Sequence, residues 1–210
     1  LKMLNVVEDE LVIDEKGVYS IENYLTSRRS MYWQVYLHKT VVACEKMLVN
    51  LLLRAKHLAN SGVKLFCSPY LEYFIYNDVD RAVFDHDSQA LDNYAMLDDN
   101  DIWSAIKVWA RHDDKILSML ANALVNRRQF KVEVHDAPVE EERIEELRSM
   151  LAERCGITFD DTKYLYSVDT VKKDMYDIHG ESIRVLMNNG FTQDICEASD
   201  LLNAALLCRQ

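Results

Sequence analysis

The sequence predicts a mainly α-helical protein with a small α+β part at its C-terminal end, and three observations predict it. Only two prolines and five glycines occur in 210 residues, which points to long helices with few tight turns. Neither Gly nor Pro interrupts Ile21 to Asn60, where Met31, Val35, Val42, Met47, Leu51 and Leu58 recur at helical intervals. The pattern then changes after Phe130, where short alternating runs such as KVEVH read as strands. The expected division is a helical body over residues 1–137 and an α+β subdomain over residues 138–210.

Taken in order, MLNVVEDELVI (residues 3–13) reads as two short strands around Glu8–Glu10, a hairpin. Gly17 breaks it, and Ser20 is a candidate N-cap for the helix that follows. Forty residues is long for a globular helix, so a kink or early break is expected before Gly62 ends the pattern. Ser68-Pro69 gives a cap and a proline at the first helical position of YLEYFIY. Short helices are expected within Asn77 to Asp87 and over Asp87 to Met96. Asp98-Asp99-Asn100-Asp101 caps the helix of Trp103 and Trp109, because negative charge favours a helix N-terminus. His112-Asp113-Asp114 is a corner before a helix over Lys115 to Arg128. Beyond the KVEVH strand, Pro138 opens a charged helix that Gly156 ends. TKYLYSVD and ESIRVLM read as strands, Asn188-Asn189-Gly190 as a hairpin turn, and Ile195 to Leu207 as a closing helix.

Composition excludes several classes. With 49% hydrophobic and 28% charged residues the chain is an ordinary globular protein with material for one good core, or for a main core and a satellite. Five cysteines, odd in number and without CxxC spacing, read as reduced thiols of a cytoplasmic protein and argue against a zinc site. No run of 18 apolar residues and no signal-peptide pattern appear, so no membrane partner is expected. A net charge of −11 argues against broad nucleic-acid binding, yet a few converging cations can still form a small anion site. Leu1 falls in the middle of an amphipathic element, which leads us to expect a fragment whose upstream part is missing.

Candidate binding residues concentrate in KGVYSIENYLTSRRSMYWQVYLHK, Lys16 to Lys39. At 3.6 residues per turn, Arg28, Tyr32, Tyr36 and Lys39 fall within about 80° of one another. Guanidinium and ammonium groups hold phosphate, and tyrosine rings stack on or hydrogen-bond to sugar and base. The same spacing also fits an amphipathic helix whose polar flank faces water. A second basic cluster, NRRQFK, places Arg127 and Lys131 four apart at a helix end, where cations also complement the helix dipole. Three His-Asp dipeptides, His86-Asp87, His112-Asp113 and His135-Asp136, invite a metal reading, but each sits at an element boundary without a second His one turn away and reads as structural. Nothing supports nucleophilic catalysis, since no glycine-rich phosphate loop, GxSxG or Cys/His pair is present.

GVYSIENYLTSRRSMYWQVYLHKT, followed by CEKMLVNLLLRA, resembles the region downstream of the catalytic core in HD-domain deoxynucleotide triphosphohydrolases, a bacterial family (dGTPase-like) related to a vertebrate dNTP triphosphohydrolase with a SAM domain. DDNDIWSAIKVWARHDDKILSMLANALVNRRQFK resembles the later helices of that family, and RVLMNNGFTQDICEASDLLNAAL the C-terminal segment of its bacterial members. The resemblance implies part of a helical HD-domain-type bundle and an enzyme that hydrolyses a dNTP to deoxynucleoside and triphosphate. The family's divalent metal is held by a His, a His-Asp pair and a later Asp, all upstream of the region matching Leu1. The implied piece therefore lacks the metal ligands and is inert by itself.

By the same resemblance, Arg28 contacts the substrate triphosphate and Tyr36 lines the sugar and base pocket. Lys16, His38 and Lys39 match contacts to an activating nucleotide between subunits, and Arg127 and Lys131 match a pair that holds a guanine nucleotide. Asp14, Ser20 and Gln34 stand where the vertebrate relative carries Arg, Asn and Arg, which weakens the case for a second activating dNTP site. The implied partners are a dNTP substrate, a nucleotide activator and further copies of the chain in a homo-oligomer. Two alternatives remain open: a non-catalytic helical module that binds a nucleotide or protein partner, and an HD phosphohydrolase with another nucleotide substrate.

Overall fold

The computed structural model describes residues 2–135, 137–170 and 182–202. They form a mainly α structure with one small sheet, divided into two units, Leu1–His38 with Thr170–Gln210 and Lys39–Asp169. The α8 helix introduced below belongs to the second unit and the C-terminal strands to the first, so residues 138–210 are shared between the two.

In the first unit, β1 (Leu4–Val7) and β2 (Glu10–Asp14) make the expected hairpin, with Val7 opposite Glu10. Glu8 and Asp9 form its two-residue loop at φ 53° and 62°, the left-handed pair that lets a tight turn match strand twist. β3 (Arg184–Leu186) joins β2 in parallel, with Ile13 opposite Val185, and β4 (Thr192–Asp194) returns antiparallel, giving the order β1-β2-β3-β4. The Asn188-Asn189-Gly190 turn joins β3 to β4, with Gly190 at φ 87°. Arg184 ties the sheet together by bonding the side chains of Glu10 and Thr192, and Glu15 accepts from the Asn188 N–H at 2.7 Å.

Helix α1 spans Val18–Met31 and begins straight out of a 3₁₀ turn over Glu15–Gly17. Ser20 therefore lies inside the helix and is not its cap; the residue in the capping position is Gly17. A Cβ on Gly17 would meet Ile13 Cγ2 at 2.5 Å, so only glycine fits this approach of helix to strand. Val18 and Leu25 pack with Val185, Ile195 and Leu202, and the buried Glu22 accepts from Ser199 Oγ at 2.5 Å. The closing helix is shorter than expected, Ile195–Ala198. The Ser199 hydroxyl takes the Leu202 N–H at 2.8 Å, offering the backbone a partner outside the helix. The rest of that expected helix, residues 203–207, lies outside the described residues.

The expected break in the long helix falls at Tyr32–Tyr36, a single π-helical turn closed by Leu37 N–H to Tyr32 C=O at 2.7 Å. A five-residue hydrogen-bonded turn shifts the angular register from the α pattern.

In the second unit, α2 (Lys39–Asn60) is the longest helix, stopped by Gly62 at φ 84°. Next come α3 (Pro69–Tyr76), α4 (Arg81–His86), α5 (Ser88–Met96), α6 (Asp99–Trp109), α7 (Lys115–Val125) and α8 (Glu141–Cys155). Ser68, Asp80, Asp87, Asp98 and Asp114 cap α3 to α7 through their side chains, Asp98 with a full capping box to Asp101. Leu51, Ala55 and Leu58 of α2 pack with Ile106 and Trp109 of α6 and Ile116, Leu117 and Leu120 of α7. Trp109 keeps its indole N–H satisfied on the Phe66 carbonyl at 2.9 Å.

Two expected strands of this unit are absent. KVEVH pairs with no strand among the described residues, and Pro138 lies three residues before α8, whose N-cap is Glu140. TKYLYSVD is a 3₁₀ turn (Asp160–Tyr164) and an extended strap along α2. Lys46, Asn50 and Arg54, one helical turn apart, hold that strap: Arg54 bonds Asp161 at 2.7 Å, Asn50 donates to the carbonyls of Tyr164 (3.1 Å) and Tyr166 (3.4 Å), and Lys46 pairs with Asp169 at 2.6 Å. Asn50 thus satisfies two carbonyls that a sheet partner would otherwise take, while Arg54 and Lys46 pin the strap through its carboxylates.

Candidate functional site

The α1 sequence buries only Val18, Glu22 and Leu25, all on one narrow face. Tyr19, Tyr24, Met31, Trp33, Val35 and Tyr36 are all exposed. These exposed side chains are large and apolar or aromatic, an unusual composition for a helix flank that faces water.

Within it Tyr24, Arg28, Tyr32 and Tyr36 follow one another at intervals of four. The Arg28 guanidinium carbon sits 5.6 Å from the Tyr32 ring centroid, and the Tyr32 and Tyr36 rings are 5.3 Å apart and tilted by 54°. The Arg28 pKa is raised above its ordinary value, chiefly by the hydrogen bond it donates to Tyr32 and then by Tyr24. Arg28 is therefore a permanent cation whose planar fork is steadied by aromatic neighbours while it remains exposed to solvent. Tyr24 was not among the residues that the sequence singled out, and its position four before Arg28 is the signal that marks it.

The structure alters the expected stripe in one respect. Arg28, Tyr32 and Tyr36 form a ladder, whereas Lys39 begins α2 in the other unit and does not continue their helix. The single α-helical register that placed Lys39 on this stripe ends at the π turn. Lys16 lies in the 3₁₀ turn before α1, and His38 follows the π turn; both are exposed.

The second cationic group sits at the end of α7. Arg127 adopts φ 54°, the left-handed conformation usually given to glycine after a helix. Arg127 N–H bonds Leu124 C=O at 3.2 Å and Arg128 N–H bonds Ala123 C=O at 2.8 Å, closing the helix end. Lys131 is exposed and pairs with Glu133 at 2.7 Å, which holds the Glu133 carboxyl below its usual range. An anion bound by Lys131 therefore competes with Glu133 for the ammonium, a competitor that a search for cations alone passes over.

Two clefts lie elsewhere in the second unit. One, of about 390 Å³, is lined by Arg54, Asp114, Lys115, Gly156 and Asp161 among others. Its polar floor is self-satisfied: the buried Arg54 forks onto Asp114 (3.1 and 2.6 Å), bonds Asp161 and lies over the Tyr164 ring at 5.2 Å. Burial disfavours charge on Asp114, but the Arg54 and Leu117 N–H bonds outweigh it and lower its pKa. The other cleft is bordered by His135, Pro138, Val139 and Arg143. None of the candidate binding residues lines either cleft.

The His-Asp dipeptides serve local structure where they are described. Asp87 caps α5 and accepts from the Tyr73 hydroxyl at 3.0 Å, and His112 Nδ1 accepts from the Asp114 N–H at 2.9 Å. Asp136 of the third dipeptide lies outside the described residues. Among the described residues no three His, Cys, Asp or Glu side chains converge to hold a metal ion, so they do not fit the divalent ion that the resemblance implies. Also among them, no helix is long and apolar enough to cross a membrane.

Residues 1–64, which contain the Arg28 ladder, match the family model of the HD associated region. A protein of Bacillus subtilis (strain 168), YwfO, is 30% identical over 211 aligned positions, covering 97% of this chain and 46% of that protein. A crystal structure of a phosphohydrolase from Bacteroides thetaiotaomicron VPI-5482 superposes with a TM-score of 0.92 at 51% identity, covering 98% of this chain and 51% of that one. The chain spans about half the length of the relatives it matches. Its first 64 residues thus match the HD-associated region, in a chain that resembles one half of a phosphohydrolase over nearly all of its own length.

Proposed function

We propose that this chain is the phosphate- and sugar-binding portion of an HD phosphohydrolase that hydrolyses a dNTP to deoxynucleoside and inorganic triphosphate. The observation that carries the reading is the exposed Arg28 cation, set in a tyrosine ladder inside the segment that matches the HD-associated region. Arg28 takes oxygens of the triphosphate with its fork of donors and neutralises charge there, and Tyr36 meets the sugar and base with its ring and hydroxyl. A divalent metal supplies activation of the attacking water in such enzymes, and residues other than those described must hold it. Lys16, His38 and Lys39 contact an activating nucleotide, Arg127 and Lys131 hold a guanine nucleotide, and the enzyme works as a cytoplasmic homo-oligomer.

The test uses full-length protein. Arg28→Ala is expected to lose most dNTP turnover with an unchanged melting temperature, and unchanged kcat/KM overturns the role given to Arg28. A substrate screen across dNTPs, nucleoside monophosphates and cyclic dinucleotides tests the substrate class. Turnover confined to the latter two replaces the dNTP reading. Nucleotide binding without any turnover replaces it with a non-catalytic module. The 210-residue chain alone is expected to be inert, and chelator-sensitive turnover by it overturns that expectation.

A further inference from the structure

Between the two residues given to substrate above, Arg28 and Tyr36, stands a side chain that has been given no role, Tyr32. The centroid of its ring lies 5.6 Å from the Arg28 guanidinium carbon and 5.3 Å from the centroid of the Tyr36 ring, so one side chain bridges the two contacts. Its hydroxyl also accepts a hydrogen bond from Arg28. Tyr32 is half-buried where Arg28 and Tyr36 are exposed, as befits a rung with a neighbour on either side. Its backbone is held from both directions. The Tyr32 N–H donates to the carbonyls of Arg28 and Arg29, and its own carbonyl takes the Leu37 N–H at 2.7 Å. The ring is therefore anchored at the point where α1 passes into the π turn.

The kind of partner that holds Arg28 sets it apart. Lys46, Arg54, Lys131 and Arg184 are each paired with a carboxylate, which fixes a cation and neutralises it at once. Among the described residues the side chains that act on Arg28 are Tyr32 and Tyr24. A phenol hydroxyl holds a guanidinium while leaving its charge whole, and four of the five N–H donors stay available for phosphate oxygens. An exposed arginine gives up rotamer freedom when it binds an anion, and one that is already held gives up less. A tilted ring pair such as Tyr32–Tyr36 is likewise favourable by itself and narrows the directions open to Tyr36. We propose that Tyr32 is a positioning residue that joins the two ends of the ligand, a role that rests on the substrate contacts proposed above. Its hydroxyl sets the Arg28 fork for the triphosphate, and its ring sets the Tyr36 ring for sugar and base.

Calorimetric titration of full-length protein with inorganic triphosphate and with deoxyguanosine tests this, one probe for each end. Tyr32→Phe keeps the ring and removes the hydroxyl. It is expected to raise the Kd for triphosphate about two- to tenfold while the Kd for deoxyguanosine and the melting temperature stay at wild type. Tyr32→Leu removes the ring as well and is expected to raise the Kd for deoxyguanosine about two- to tenfold too. In an Arg28→Ala background, Tyr32→Phe is expected to change the triphosphate Kd no further, because it acts through Arg28. An unchanged triphosphate Kd in Tyr32→Phe, where Arg28→Ala weakens it, overturns the positioning role and leaves the Arg28 contact standing. A further loss in the Arg28→Ala background also overturns it, since Tyr32 then meets the ligand itself. Deoxyguanosine that binds Tyr32→Leu as it binds wild type overturns the link to Tyr36. Triphosphate bound equally by wild type and Arg28→Ala overturns both the positioning role and the Arg28 contact beneath it.

Discussion

Replacing Arg127 with glycine should pull stability and nucleotide binding in opposite directions. At φ 54° the Arg127 Cβ crowds its own backbone, a conformation that costs an L-residue about 1–2 kcal/mol. Glycine adopts it freely but gives up about 0.5–1 kcal/mol more chain entropy on folding. The balance is a gain of about 0.5–1 kcal/mol, which in a chain of this size raises Tm by roughly 1–4 °C. Arg127→Ala keeps the crowding while removing the guanidinium, so its Tm should stay near wild type. If Arg127 holds a guanine nucleotide, both variants lose that binding, read by calorimetric titration of full-length protein with GTP. The useful result is the combination of a more stable glycine variant that binds less. A glycine variant with lowered Tm refutes the strain argument, and unchanged GTP affinity in both variants refutes the binding role.

Other outcomes follow from the same structure. Arg54→Met leaves Asp114 and Asp161 partly buried without their cation and should lower stability by about 3 kcal/mol, the low end for a broken buried pair because Asp161 is still partly wet; a urea midpoint within error of wild type contradicts this. Since the folded Asp114 pKa is lowered, its contribution is complete above its unfolded value near 3.8 and is lost as pH falls through the lower folded value, so the wild-type advantage over Arg54→Met should shrink below about pH 4. Glu133→Gln frees the Lys131 ammonium and should tighten GTP binding by up to about fivefold, the worth of an exposed pair; weaker binding would place Glu133 on the ligand's side. Asp9→Gly suits the φ 62° position of the hairpin loop and should stabilise it by about 0.5–1 kcal/mol, read as slower amide exchange in β1 and β2.

Features set by a few neighbouring residues were legible in the sequence. Ser68, Asp98 and the Asn-Asn-Gly turn act within three or four positions of themselves, and each does what its residue type predicts. The largest miss concerns partners far away along the chain. Residues 162–169 alternate like a strand, but Lys46, Asn50 and Arg54 reach their backbone and side chains first, and nothing local records that. Ser20 has a capping side chain in a place where the 3₁₀ turn has already started the helix. At the candidate site the Arg28–Tyr32–Tyr36 spacing was readable because its contacts span single turns. The π turn that separates Lys39 from it leaves no clear mark in YWQVY.

The parallel pairing of Ile13 with Val185 has a consequence for how the chain is made. A ribosome releases the β1–β2 hairpin and α1 early, yet their sheet partner and the residues that cover Val18 and Leu25 emerge only after the whole of Lys39–Asp169 has been synthesised. The continuous unit can fold as it appears, whereas the first unit waits with an apolar hairpin exposed until Arg184–Asp194 leave the tunnel. Closing so long a loop is slow. A nascent chain stalled just after residue 170 has left the tunnel should therefore hold a protease-resistant second unit beside a first unit that is still open to cleavage.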